Sequence, residues 1–191
     1  DILCCDVMIE QDGELFPQKN PWKTCPEKLR EGFMMYSHQG IFAKRECFLK
    51  YGKFDISYKI TADYDWLLRV YNQNVRLEYS PNVVAIFRYG GISTTNPIVT
   101  AEELEKVAVV QAQEALQLKK ISKDEYEVLY NKICNMIRKR YLYAYAQKCE
   151  QIMRLSNDSD DSKYVIFGMG ELGTTCYKSM NALGMQVDFF V

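Results

Sequence analysis

The segment "KYVIFGMGELGTTCYKSMNALGMQVDFFV", residues 163–191, leaves the chain few options. An apolar strand runs into a glycine-rich turn, an amphipathic helix follows and ends at Gly184, and a second apolar strand closes the run. Strands joined through a helix pair in parallel, and a parallel pair covered on both faces reads as continuous apolar runs. This is one βαβ unit. Alone it cannot cover both faces of a sheet, so it adds to another sheet or lacks the rest of its domain.

The rest of the 191-residue chain divides in two. Residues 1–98 alternate short strands and short helices. "DILCCDVMIEQDGELF" alternates apolar and polar residues around Asp12-Gly13, a hairpin signal. Pro17, Pro21 and Pro26 mark a loop, and Pro26 is placed to start the helical "CPEKLREGFMM". "GIFAK" reads as a short strand, followed by a helical turn that ends at Gly52. "TADYDWLLRVYNQN" puts Trp66, Leu67, Val70 and Tyr71 on one face at helical spacing. "VRLEYSPNVVAIFRYGG" predicts two short strands broken at Ser80-Pro81, with a loop at Gly90-Gly91.

Residues 99–156 predict a helical hairpin. Thr100 reads as an N-cap with Glu103 three residues on, and Leu104, Val107, Ala108, Ala115 and Leu118 form the apolar stripe. "SKDE", residues 122–125, is a second capping box and opens a long tyrosine-rich helix. Residues 157–162, within the polar, acidic "SNDSDDS", read as a linker.

Charge and cysteine usage exclude several classes. A formal net charge of -1 gives no broad basic field for nucleic acid. No apolar run approaches the roughly 20 residues that span a bilayer. Seven cysteines without a CxxC pair, and a single histidine, argue against zinc and for reduced thiols in a cytoplasmic protein. The chain opens at Asp1 without methionine and stops on "VDFFV", so both ends are expected to be internal to a longer protein.

Two carboxylates, Asp63 and Asp65, stand where a helix begins. Either can be a helix-start residue, stabilised by the helix dipole by about 0.3–1 kcal/mol. Residues two apart do not share a helix face, so they are not a matched acid/base pair. One of them can still face a cleft and take a proton from an attacking hydroxyl.

The order "HQGIFAKRE", "YGKFD", "ADYDWLLR", "FRYGGIS" resembles the C-terminal half of a family 2 glycosyltransferase of GT-A fold, of the bacterial polysaccharide type. The likeness covers about the first half of the chain. It implies an α/β fold, with a partial, Rossmann-like GT-A domain over residues 1–98 as the acceptor-side half. In the family an acidic pair of the ED type supplies the general base. Asp63 takes the place of that base, and Ala62 stands where many members carry glutamate. Asp65 falls on a position that is often acidic, counted here with the substrate-binding candidates and with support of the helix or loop as its other role.

The implied reaction is inverting transfer from a nucleotide-diphosphate sugar to a hydroxyl of a carbohydrate or lipid-linked acceptor, assisted by magnesium or manganese. It implies a cytoplasmic setting, with peripheral association at the inner membrane face as an option. The family's donor half and its DxD metal motif have no counterpart: "DYD" at Asp63–Asp65 sits at the base motif and "DSDD" at Asp158–Asp161 in the linker. No residue of this chain is therefore assigned to the metal, and the chain is expected to be inactive alone. His38 and Gln39, at the start of "HQGIFAKRE", line the acceptor or donor site or serve a structural hydrogen bond. Arg88 reaches a phosphate or a sugar or is a surface arginine beside a turn. Gly90, Gly91 and Ser93 form a loop suited to closing over substrate.

Gly168, Gly170 and Gly173 have G-x-G-x-x-G spacing after a strand and at a helix start, the context in which N–H groups hold a phosphate. "YVIFGMGELG" resembles the opening of Rossmann-like nucleotide or nucleotide-sugar domains, which leaves an NAD-type nucleotide open. The acidic residue such domains carry after the second strand is either the residue after Val191 or absent, since Asp188 comes too early. Two rival readings remain. One is a nucleotide- or nucleotide-sugar-binding enzyme acting through this turn. The other is a non-catalytic scaffold with a partner on Tyr126, Tyr130, Tyr141, Tyr143 and Tyr145.

Overall fold

A computed structural model describes residues 1–156 except Asp12 and Lys19, then residues 164–167, 170, 173, 174, 177 and 187–190. For residues 148–156 and the two late strands it describes the backbone only. The protein is mixed α and β. It divides into two compact units, Asp1–Ile137 and Arg138–Val191.

Strand β1 (Ile2–Gln11) organises the first unit. Its C-terminal half forms the expected hairpin with β2 (Glu14–Pro17), turning through Gly13 at φ 84°, a conformation that favours glycine. Its first residues pair antiparallel with β3 (Ile41–Ala43), and on the other side it pairs parallel with β4 (Leu77–Arg88) along most of its length. The parallel pairing needs a long crossover, which α1 (Arg45–Tyr51) and α2 (Ala62–Tyr71) supply. Ile2, Cys4 and Val7 are buried. Cys4 is fully enclosed, and burial, followed by the charge of Cys5, pushes its thiol up to about 12.

β4 is one strand and not the two expected. The register passes from Cys5–Ser80 to Asp6–Val83, so Pro81 and Asn82 bulge out of the ladder. Proline has no N–H to lose at a bulge, and the strand continues past it.

α2 is buried on more than the single face expected. Tyr64, Trp66, Leu67, Leu68 and Val70 are all enclosed, while Tyr71 keeps partial exposure. Both polar tips find acceptors: the Tyr64 hydroxyl donates to Leu29 O at 2.7 Å, and Trp66 Nε1 donates to Gly52 O at 2.8 Å. Trp66 also stacks on Phe48 of α1 with centroids 4.2 Å apart. These contacts fix α2 against its neighbours, and with it whatever its first turn projects.

A short turn, α3 (Ile92–Thr95), leads into α4 (Pro97–Gln117). Here Thr100 is not the cap. Pro97 occupies the first turn after Asn96, and the Thr100 hydroxyl donates back to Asn96 O at 2.9 Å from inside the helix. The buried stripe runs through Ala101, Leu104, Val107, Ala108, Gln111 and Ala112, whereas Leu118, beyond the helix end, is 64% exposed. The second box holds: Ser122 N donates to Glu125 and Glu125 N to Ser122 Oγ, at 2.7 and 3.2 Å. It opens α5 (Lys123–Ser156), which runs through the division between the units.

In the second unit β5 (Tyr164–Phe167) and β6 (Val187–Phe190) pair in parallel, in register from Tyr164–Val187 to Phe167–Phe190. Thr174 N donates to Gly170 O at 3.0 Å in a helical turn between them. The expected linker, 157–162, and Gly168 lie outside the described residues.

Candidate active site

The first turn of α2 sends its two carboxylates to different places, as a spacing of two requires. Asp65 points inward and is 5% exposed. Arg69, one turn on, donates to its Oδ2 from Nε at 3.0 Å and from Nη2 at 2.9 Å. The same guanidinium donates to Tyr51 O and Lys53 O, each at 2.9 Å. Asp65 and Arg69 together tie α2 to the end of α1.

Asp63 points the other way, its side chain 30% exposed. Oδ1 accepts from Tyr64 N at 2.8 Å, and Oδ2 lies 3.4 Å from His38 Nδ1. His38 comes from a tight helical turn, His38–Gly40, that leads into β3. Gly40 sets this turn against β1: a Cβ there would stand 2.6 Å from Cys5 O. Beside His38, Gln39 Oε1 is a buried acceptor with no hydrogen-bond partner.

Hydrogen bonding of the His38 ring N–H to the Asp63 carboxylate raises the pKa of His38 above its ordinary 6.5, burial opposes this, and the carboxylate charge adds to it. A raised histidine stabilises the folded state fully below its unfolded pKa, and the contribution is lost as pH rises through the folded pKa. His38 is the chain's single histidine, so its ring resonances titrate without overlap. An NMR titration is expected to give a midpoint above 6.5 that falls in Asp63→Asn. Equal midpoints in the two proteins would remove the pairing.

Arg88 belongs to a separate cluster. It forms an ion pair with Glu10 near the C-terminal end of β1 and is 77% exposed. Gly91 O accepts from the Thr94 and Thr95 hydroxyls at 2.8 and 3.1 Å, and Ser93 O accepts from Thr100 Oγ1 at 3.1 Å. His38 and Asp63 are thus brought together, while Asp65 and Arg88 are each taken by another partner. In the second unit Gly170 is exposed and a Cβ there would meet open space, and Gly173 lies in a helical turn.

Two residues of this region were not anticipated from sequence. Arg69 had a readable signal, its place four residues after Asp65. Glu103 had none. From α4 its carboxylate accepts the backbone N–H groups of Lys59, Ile60 and Thr61 at 2.9–3.0 Å and the Thr61 hydroxyl at 3.2 Å. Burial raises the pKa of Glu103, but these hydrogen bonds outweigh it and leave it below the usual value.

A cavity of about 430 Å³ opens at the other end of α2, lined by Lys50, Arg69, Gln111 and Lys120 among others. Several of its polar groups are partnered within the protein: Lys120 Nζ donates to Asn72 O and Gln73 Oε1, and Arg69 holds Asp65. Among the described residues, no group of three or more His, Cys, Asp or Glu side chains is placed to hold a metal ion. Among them, too, no helix is long and apolar enough to cross a membrane. Compared with family models, curated proteins and solved structures, the chain matches none.

Proposed function

We propose that the first unit is the acceptor-side half of an inverting glycosyltransferase, with Asp63 as its general base and the donor half supplied by further chain. The observation that carries this reading is a carboxylate held partly open on the first turn of an otherwise buried helix, 3.4 Å from an imidazole. A base needs a fixed position and access to a hydroxyl, and the bond from Tyr64 N and the partial exposure of Asp63 support that reading.

In the proposed step the acceptor oxygen gives its proton to Asp63 as it bonds to the anomeric carbon. The bond from that carbon to the nucleotide diphosphate breaks, and its electron pair leaves with the diphosphate. Attack comes from the face opposite the leaving group, so the configuration inverts. His38 holds the carboxylate in line from the other side. The divalent ion that the resemblance implies finds no donor set of three or more His, Cys, Asp or Glu side chains among the described residues.

The test uses the longer protein with a panel of nucleotide sugars and candidate acceptors, reading nucleotide diphosphate release in wild type and Asp63→Asn. Release that falls in the variant supports the reading. Equal release in both ends it. A second proposal, nucleotide binding by the second unit, is favoured by the parallel β5–β6 pair and the turn at Gly170. Since a Cβ at Gly170 meets no protein atom, Gly170→Val is expected to leave the fold intact and abolish binding in a nucleotide titration. Unchanged binding would sink it.

A further inference from the structure

We infer that Glu103 is a positioning residue for Asp63: from helix α4 it grips the backbone that leads into α2 and so sets where the Asp63 carboxylate meets His38. The role of that carboxylate as a base rests on the function proposed above. The positioning does not.

The segment before α2 has little of its own to hold it. Thr61, the residue at the helix cap, makes no side-chain capping bond to the helix. Three successive N–H groups, of Lys59, Ile60 and Thr61, converge instead on one carboxylate more than 40 residues away in sequence, joined by the Thr61 hydroxyl. Thr61 is 3% exposed, so its N–H has no ready exchange with water. Hydrogen bonds to an ionised acceptor are about twice as strong as neutral ones, and successive N–H groups form a concave anion cradle. One helical turn along α4, Lys106 sits over the Tyr58 ring at 5.2 Å. Asp55 Oδ1 caps the start of the segment by accepting from Ser57 N at 2.9 Å.

The carboxylate therefore fixes the backbone up to the residue two before Asp63. Asp65 and Arg69 fix the same helix from the side of α1. Asp63 projects from between these two anchors. If the Glu103 grip loosens, the first turn of α2 gains freedom and the Asp63–His38 separation lengthens first, because 3.4 Å is already long for a hydrogen bond.

The single histidine gives a readout that does not depend on turnover. Glu103→Gln keeps the shape but offers one oxygen acceptor where the carboxylate had two, and turns an amide NH₂ toward backbone donors. The His38 midpoint, read by NMR in this chain, is expected to fall, as in Asp63→Asn, with helix content by circular dichroism unchanged. Thr61→Val, which removes the hydroxyl alone, is expected to lower it by a smaller amount. A folded Glu103→Gln whose His38 midpoint stays at the wild-type value overturns the inference. Should that variant fail to fold, an unmoved midpoint in Thr61→Val overturns it instead. Turnover separates this from the larger reading. In the longer enzyme Glu103→Gln is expected to lower kcat with KM little changed, and equal release by wild type and Asp63→Asn would remove the base while leaving the positioning intact.

Discussion

With Asp63 as the proposed base, Asp63→Asn in a protein that also carries the proposed donor half is expected to lower nucleotide diphosphate release about 10²–10⁴-fold, the usual contribution of a positioned base. That corresponds to about 3–5 kcal/mol of barrier. The substitution suits the question because so little else changes. Asparagine has nearly the same shape, and its carbonyl oxygen can still accept from Tyr64 N, the bond Asp63 Oδ1 now accepts at 2.8 Å. The helix that carries it is anchored by Tyr64, Trp66 and Asp65, none of which is altered. What disappears is the basic oxygen and the charge facing His38. A melting temperature close to wild type with collapsed release assigns the loss to chemistry. Release within a few-fold of wild type would mean that another group takes the proton.

Gly40→Ala is expected to have the largest effect on stability, about 1–3 kcal/mol or more, the range for overpacking a filled interior. The φ angle is not the reason, since Gly40 is not among the glycines at positive φ. The reason is space. A methyl at Gly40 would lie 2.6 Å from Cys5 O, 3.3 Å from Cys5 C and 3.3 Å from Val7 Cγ1. Two of these are backbone atoms of the central strand, and Val7 is fully buried, so no flexible side chain can swing aside. Relief requires the His38–Gly40 turn to lift from β1. For a chain of this size each kcal/mol lowers Tm by about 2–4 °C. The lifted turn also carries His38 away from Asp63, so its titration midpoint is expected to fall together with Tm. An unchanged Tm would show that the turn has room to move.

Elements that depend on local chemistry were readable in the chain. The hairpin around Gly13, the stop at Gly52, the Ser122–Glu125 box and the parallel pairing of the last two strands each follow from turn residues or short-range periodicity. What escaped depends on partners distant in sequence. Pro81 reads as a break until β1 is beside it and absorbs the irregularity as a bulge. Thr100 and Glu103 have the spelling of a capping box, but Pro97 starts the helix earlier and frees Glu103 for Lys59, Ile60 and Thr61. At the site, the different directions of the two aspartates were legible from their spacing of two. That His38 lies against Asp63 depends on the Gly40 turn docking on β1, which no local pattern encodes.

The enclosed thiol of Cys4 makes the sheet its own timekeeper. A thiolate is the species that reacts with alkylating reagents, and a thiol pushed up to about 12 and fully shielded offers almost none at neutral pH. Modification at this atom has to wait for β1 to part from its neighbours. Because Cys4 is paired with Ile41 of β3 and Tyr79 of β4, each covalent hit there records one opening of that end of β1.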